Sequence, residues 1–501
     1  MAISAGTETA PGEAGTGRAW HWPLLSWPLI AALVALARPL SDRMALLNDP
    51  DTYLHVAAGR WMIDHLALPF HDPFSHSLQG ATWIPHEWLA EVALALAYGA
   101  LGWSGVVLLA MLCFALAMAL LTRQLLAHFE PFSGLILAGL SSVLLLQHLL
   151  ARPHVLALPL LVAWPAALFA ARDKGRVPSL LILPLMTLWA NLHGSFMVGL
   201  ALTGFVAAEA VLTTPGRACW TSLRQWAVFT LLAALAALVT PNGIDGVLLP
   251  FRFMGMATLQ SSFNEWLSPN FQTFQPLELW LLVTMFVGFA SGVRLPLLRL
   301  VLLLGLFHLA LAHARHADFV AIIAPLAIAA SLGPQLAARI HPTGPSPLSQ
   351  RLMALARPAN ALGIAVAAAI LVAISAAMLL RPIERPESPA TPVAAVAAAE
   401  RLGLSGPVLN SEIFGGYLIF SGVPTFIDGR IEMYGDAFLA RYVAIENGDG
   451  ATLQDVLAAD HITWTLLDPR QRAAQVMATL PGWRRVYDDA YAVIDVRATS
   501  P

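Results

Sequence analysis

Ser104-Gly105-Val106-Val107-Leu108-Leu109-Ala110-Met111-Leu112-Cys113-Phe114-Ala115-Leu116-Ala117-Met118-Ala119-Leu120-Leu121-Thr122 is the run that decides the fold class. It carries no charge, and as a helix it is long enough to cross about 30 Å of hydrocarbon. Similar segments crowd the chain on both sides: 22–40, 87–100, 133–150, 154–171, 178–191, 194–213, 225–240, 277–292, 296–313, 317–336 and 360–380. Several are shorter than the roughly 20 residues a bilayer needs, which sets the expectation at about 10–13 transmembrane helices. The first segment has no small-residue cleavage site after it and reads as a retained helix, with residues 1–21 a disordered N-terminus.

Charge follows the same division. The chain of 501 residues has 28 Lys and Arg and 31 Asp and Glu, and 25 of these lie between Arg381 and Pro501. What precedes Arg381 cannot make a water-facing surface. The fold expected is an α-helical polytopic membrane protein: a core over 22–336, a basic Pro-rich linker over 337–358, a last transmembrane helix over 359–380 and a soluble α/β domain over 381–501. In that domain Pro392–Leu402 reads as a helix, and Pro407–Asn410, Pro424–Asp428 and Ile462–Leu467 read as strands. Trp483–Tyr487 and Tyr491–Val496 pair as a hairpin. A net charge of −3 leaves no nucleic-acid footprint, and Cys113 and Cys219 form neither a metal motif nor a disulfide framework.

Polar chemistry concentrates in the loop 41–85. Asn48-Asp49-Pro50-Asp51-Thr52-Tyr53-Leu54-His55 sets two carboxylates two residues apart at a membrane helix exit, with His55 one helical turn after Asp51. Asp51 can equally cap the helix expected over Thr52–His65. The loop closes on His86-Glu87-Trp88-Leu89-Ala90-Glu91, where acids at a helix start also complement the dipole. Arg152-Pro153-His154, Asn191-Leu192-His193-Gly194 and Glu265-Trp266 interrupt apolar sequence, as does His313-Ala314-Arg315-His316-Ala317-Asp318. Ionisable groups at membrane depth need partners and mark functional sites. Arg315 and Asp318, three apart on a helix, can also simply neutralise each other.

These motifs carry a resemblance. Asp49-Pro50-Asp51-Thr52 with His55, His86-Glu87-Trp88-Leu89, Asn191-Leu192-His193-Gly194, Glu265-Trp266-Leu267-Ser268-Pro269 and Gly415-Gly416-Tyr417-Leu418 with Asp428-Gly429-Arg430 resemble a bacterial subgroup of the GT-C superfamily. That superfamily comprises polytopic glycosyltransferases that use polyprenyl-phosphate-linked sugars. The resemblance spans most of 41–501. It implies an integral-membrane glycosyltransferase of the bacterial inner membrane that moves a sugar from a polyprenyl-phosphate donor to a glycan, lipid or protein acceptor. Its site and C-terminal domain would share the outer face.

By the same resemblance the first-loop acid, Asp51 or Asp49, is general base or metal ligand, and His86 and Glu87 complete the catalytic set. Glu87 stands where many such transferases have proline after lysine or histidine. Arg152, His154, His193, Glu265, Arg315 and His316 are the substrate-binding candidates, with Arg152 or Arg315 as phosphate clamp. A divalent cation, Mg or Mn, is the cofactor the resemblance allows, on Asp49, Asp51 and His55. The alternative class is a lipid-linked glycan transporter or a non-catalytic envelope glycan assembly protein. The long polar loop favours the enzyme, because transporters put ionisable groups near mid-bilayer.

Overall fold

The structure is a computed structural model of the whole chain and describes residues 24–38, 42, 44–340 and 347–498. The segment 1–21 lies outside the described residues, as does the middle of the linker.

The membrane core runs α1 (Trp27–Leu36), α2 (Asp51–His65), α3 (Trp88–Leu126), α4 (Pro131–Leu145), α5 (Pro153–Asp173), α6 (Leu183–Leu192), α7 (Phe196–Leu212), α8 (Ala218–Ala237), α9 (Gly243–Met254), α10 (Ala257–Ser262), α11 (Pro276–Ser291), α12 (Leu297–Ala312), α13 (Ala317–Ile340), α14 (Pro347–Ala354) and α15 (Ala361–Leu380). Five of these stretches are long and apolar enough to cross a membrane: Trp88–Leu126, Pro131–His148, Pro153–Asp173, Ala314–Ile340 and Ala361–Leu380. The chain is a multi-pass membrane protein.

Two predicted spans, 87–100 and 104–122, are the two arms of α3. The helix bends where Gly102 takes φ 60°, a conformation open to glycine, and then resumes. With this merger the arithmetic of sides closes. Taking α1, α3 to α8, α11 to α13 and α15 as one crossing each gives eleven crossings among the described residues. The 172–176 turn and the end of α13 then fall on one face, where Arg299 near the start of α12 meets Asp173 at 3.3 Å and Arg339 donates to the Gly292 carbonyl. Both arginine-bearing segments then lie on the side opposite the 41–85 loop, whereas two separate spans at 87–100 and 104–122 would put them on the same side as that loop. A second difference lies in 241–276, expected as loop, which folds into α9 and α10.

The C-terminal domain contains α16 (Val393–Arg401), β1 (Val408–Asn410), α17 (Glu412–Phe420), α18 (Ile431–Glu446), α19 (Gly450–Ala459), β2 (Trp464–Leu467), α20 (Arg472–Thr479), β3 (Trp483–Asp488) and β4 (Val493–Arg497). The sheet order is β1-β2-β4-β3, with β1 and β2 parallel and the other pairs antiparallel. Pro424–Asp428, expected as a strand, makes only a single bridge, Thr425 to Ser75 of the first loop. It serves as a docking edge because its polar groups are taken by other elements. Asn410 accepts from the Phe426 amide at 2.8 Å, and the Ser77 hydroxyl donates to the Phe426 carbonyl at 2.6 Å.

The domain is therefore seated on the first loop. Gly416 packs against the Pro50 carbonyl, where a Cβ would collide with backbone. Tyr53 stacks edge-on with Trp103, Tyr417 and Phe420, joining α2, α3 and α17 in one aromatic cluster. Arg385 lies over Tyr53 at 3.7 Å and donates to the Asp49 carbonyl at 2.9 Å.

Candidate active site

Asp49 and Asp51 divide the work at the loop exit. The Asp51 amide donates to Asp49 Oδ1 at 2.7 Å, so Asp49 makes the turn that starts α2 and Pro50 holds the N-cap position. The Asp51 side chain, expected as a possible cap, makes no cap hydrogen bond and is free to face elsewhere. It meets Arg152, at the start of α5. The Arg152 Nε lies 3.0 Å from Asp49 Oδ1, one Nη pairs with Asp51, and the other reaches Glu265 Oε1 at 3.3 Å. One guanidinium thus gathers three carboxylates from two parts of the chain. Behind Asp51 stands Gly429 of the Asp-Gly-Arg motif, so close that a Cβ there would meet the carboxylate.

A second cation joins through Glu265. Arg315 Nη1 lies 3.9 Å from Glu265 Oε2, and its guanidinium stacks on Trp266 at 4.6 Å. Arg315 is not paired with Asp318. That acid instead faces His148 at 3.2 Å, across from the end of α4. Burial works against the Glu265 carboxylate, but Arg152 and Arg315 outweigh it and hold its pKa below the usual range.

Histidines make the other wall. His193 Nε2 lies 3.5 Å from Glu87 Oε1, which His86 Nε2 approaches at 3.6 Å, and the His154 ring centroid is 6.1 Å from that of His193. His193 Nδ1 bonds the Ser195 hydroxyl at 2.8 Å. Burial, then the positive charges of His154, Arg315, His86 and His55, push the His193 pKa well below its ordinary value. This histidine is neutral first because it is buried, and Arg315 is the fixed positive charge beside it. His316 packs on Phe319 and edge-on to Trp266 beside this wall, and its Nδ1 is buried without a partner among the described residues.

The residues thus fall into place as follows. Asp49, Asp51, Arg152, Glu265 and Arg315 form one linked charge cluster, and His86, Glu87, His154 and His193 adjoin it. His55 turns away to Glu91 at 3.2 Å. Burial opposes its imidazolium, but Glu91, Glu87 and Asp49 outweigh that and raise its pKa. Among the described residues no group of three or more His, Cys, Asp or Glu side chains is spaced to hold a metal ion. A divalent cation needs several oxygens converging at about 2.0–2.6 Å. Here the carboxylates converge on a guanidinium and His55 on Glu91, so the expected Asp49, Asp51 and His55 set does not fit a metal as arranged. Arg152, with three carboxylate partners, is likewise poorly placed to clamp phosphate, which leaves Arg315.

The sequence reading gave no role to the Asp428–Arg430 pair beyond a turn. Arg430, 3% exposed, donates to Asp72 of the first loop at 2.6 Å and to Asp428 at 2.8 and 2.7 Å. Tyr434 and Thr425 fill the remaining lone pairs of Asp428. Both acids stood in the sequence beside polar turns, but the partner of Asp72 is too distant in sequence for any spacing rule to reveal it.

An apolar groove of about 570 Å³ opens beside the histidine wall, lined by Trp88, Leu89, Thr187, Leu188, Asn191 and Val239 among others. Trp88 Nε1 donates to Asn191 Oδ1 at 2.8 Å, closing the polar end of the groove next to Glu87 and His193.

No protein-family model matches the sequence, and no curated protein is similar to it by sequence. Solved structures match in shape. The archaeal oligosaccharyltransferase AglB from Archaeoglobus fulgidus, in complex with an inhibitory peptide and a dolichol-phosphate, aligns with TM-score 0.52 and 11% identity over 88% of this chain and 69% of its own. The apo oligosaccharyltransferase from the same organism gives TM-score 0.50 with the same identity and coverage. ArnT from Cupriavidus metallidurans bound to undecaprenyl phosphate aligns over 93% of this chain and 96% of its own at 15% identity, with TM-score 0.49. The likeness to the oligosaccharyltransferases is one of fold.

Proposed function

We propose that the chain is an integral-membrane glycosyltransferase that moves a sugar from a polyprenyl-phosphate donor to an acceptor on the outer face of a bacterial inner membrane. The observation that carries this reading is the convergence, at one face of the helical core, of a carboxylate cluster, the guanidinium groups of Arg152 and Arg315, a wall of histidines, and an apolar groove. The dolichol-phosphate in the oligosaccharyltransferase complex of the same fold supports a lipid phosphate as ligand.

The chemistry assigns each part a task. An acceptor must lose a proton as it attacks the anomeric carbon, and Asp51 is the carboxylate placed to receive it. Arg152 and Gly429 fix that carboxylate, while Asp49 sets the turn that aims it. The departing polyprenyl phosphate gains negative charge, which Arg315 stabilises, with neutral His193 as a hydrogen-bonding partner. Trp88 and Leu89 line the groove for the first isoprene units.

The test is transfer, or hydrolysis in the absence of acceptor, from a panel of radiolabelled undecaprenyl-phosphate sugars by the purified protein. Turnover that survives chelation and is lost in Asp51→Asn supports the assignment. No turnover with any donor, together with no binding of undecaprenyl phosphate, would move the reading to transport or glycan assembly.

A further inference from the structure

The face opposite the candidate active site carries a second polar cavity. α5 begins at Arg152 in the site and ends at Asp173. Its 21 residues rise about 31 Å, roughly one hydrocarbon thickness, so its far end lies at the other membrane surface. There a cavity of about 300 Å³ sits between the ends of α5 and α7 and the start of α8, and its polar lining is Arg172, Arg176, Thr214, Thr221, Ser222 and Gln225.

The charge balance of this cavity is one-sided. Asp173 and Glu209, the acids beside it, are both bound by Arg299, at 3.3 and 2.8 Å. Arg172 hydrogen-bonds Thr213 through one Nη, but its Nε is buried with no partner among the described residues. Arg176 is exposed and makes no side-chain hydrogen bond or ion pair among the described residues. Lys174 and Arg217 are exposed on the same two connections, and Arg224 is exposed on α8. Trp220, 67% exposed, and Leu223, 40% exposed, lie on the same first turns of α8. They provide the interfacial aromatic and apolar surface that acyl chains cover.

The Thr214 hydroxyl donates to the Ala210 carbonyl, and the two guanidinium groups, the Thr221 and Ser222 hydroxyls and the Gln225 amide are the donor set of a phosphate site. We propose that this cavity binds the phosphate headgroup of an anionic membrane lipid on the face opposite the candidate active site. Basic pockets between transmembrane helices at a membrane surface recognise such headgroups by the same electrostatics. The inference is independent of the transferase reading, because it uses none of the residues of that site.

Full-length protein in phosphatidylcholine nanodiscs, titrated with phosphatidylglycerol and examined by native mass spectrometry, tests it. Wild type should retain phosphatidylglycerol over phosphatidylcholine. Arg176→Gln, an exposed change that spares the fold, should weaken that retention at least tenfold, and Arg441→Gln, an exposed change on the C-terminal domain, should leave it unchanged. Equal retention of the two lipids, or full retention by Arg176→Gln, would overturn the proposal. Displacement of the lipid by millimolar inorganic phosphate, with no preference left for the lipid form, would assign the cavity to free phosphate and overturn the lipid assignment.

Discussion

Asp51 is held between Arg152 and Gly429, so two different substitutions probe one carboxylate. Asp51→Asn keeps the size and removes the charge, and transfer should fall by about 10²–10⁴-fold while the detergent melting temperature stays near wild type. Gly429→Ala leaves Asp51 intact but drives a methyl into the space of its carboxylate, and should lower kcat without removing any reactive group. Equal activity of Gly429→Ala and wild type would show that the position of Asp51 is immaterial. At Arg315 the prediction is a loss of donor binding on Arg315→Ala, partly restored by lysine, which lacks the fork. Because Asp318 pairs with His148, replacing Asp318 as well should recover nothing; recovery would restore the Arg315–Asp318 pairing that the i, i+3 spacing suggests. That spacing misleads for a physical reason. The nearest acid in sequence is claimed by a histidine 170 residues away, and Arg315 goes to Glu265. That Asp49, Asp51, His86 and Glu87 need polar partners was legible because charge at membrane depth is costly. The role of Arg152 as the hub of three carboxylates was not, since its partners lie 101 and 113 residues away.

Among elements, the first loop and the C-terminal domain are joined by Arg430. Arg430→Ala leaves Asp72 and Asp428 buried without their cation, a change that costs about 3–5 kcal/mol. Calorimetry in detergent should show an early melting of the domain from the loop. Arg430→Ala with wild-type stability would remove the lock from the account. Two carboxyls of this domain give opposite pH responses. Burial opposes the ionised form of Asp428, but Arg430 outweighs it and lowers its pKa, so this contribution to stability is present above the ordinary carboxylate value and is lost as pH falls through the depressed one. Burial, with Glu446 adding to it, raises Glu412 from 4.5 to about 8. Its stabilising share is complete below pH 4.5 and declines as pH rises toward about 8. Stability measured from pH 5 to 8 should therefore fall with a slope that Glu412→Gln removes. The sheet order of this domain was partly legible, since alternation and turn residues mark β1, β2 and the hairpin. The segment 424–428 was not, because its apolar pattern matches a strand while its partners are a loop and an asparagine side chain.

Across the whole molecule the bend at Gly102 sets which segments share a face. The apolar run alone shows two spans there, and the non-helical Leu101 and Gly102 turn one arm against the other, with Gly105 against the Ala97 carbonyl. With Cys113 and Cys219 replaced by serine, single cysteines at Leu66 and Ser421 should be labelled from one side of sealed vesicles and a cysteine at Lys174 from the other. Labelling of all three from one side would contradict the eleven-helix arrangement.

The claim that binds these scales together is that Arg315, the histidine wall and the adjoining groove form a site for a lipid-linked phosphate. Equilibrium binding of undecaprenyl phosphate to the full-length protein, compared with undecaprenol and with the Arg315→Ala variant, tests it most directly. The account predicts tight binding of the phosphate, at least tenfold weaker binding of the alcohol, and a comparable loss on Arg315→Ala. Equal binding of phosphate and alcohol, unchanged by Arg315→Ala, would contradict it.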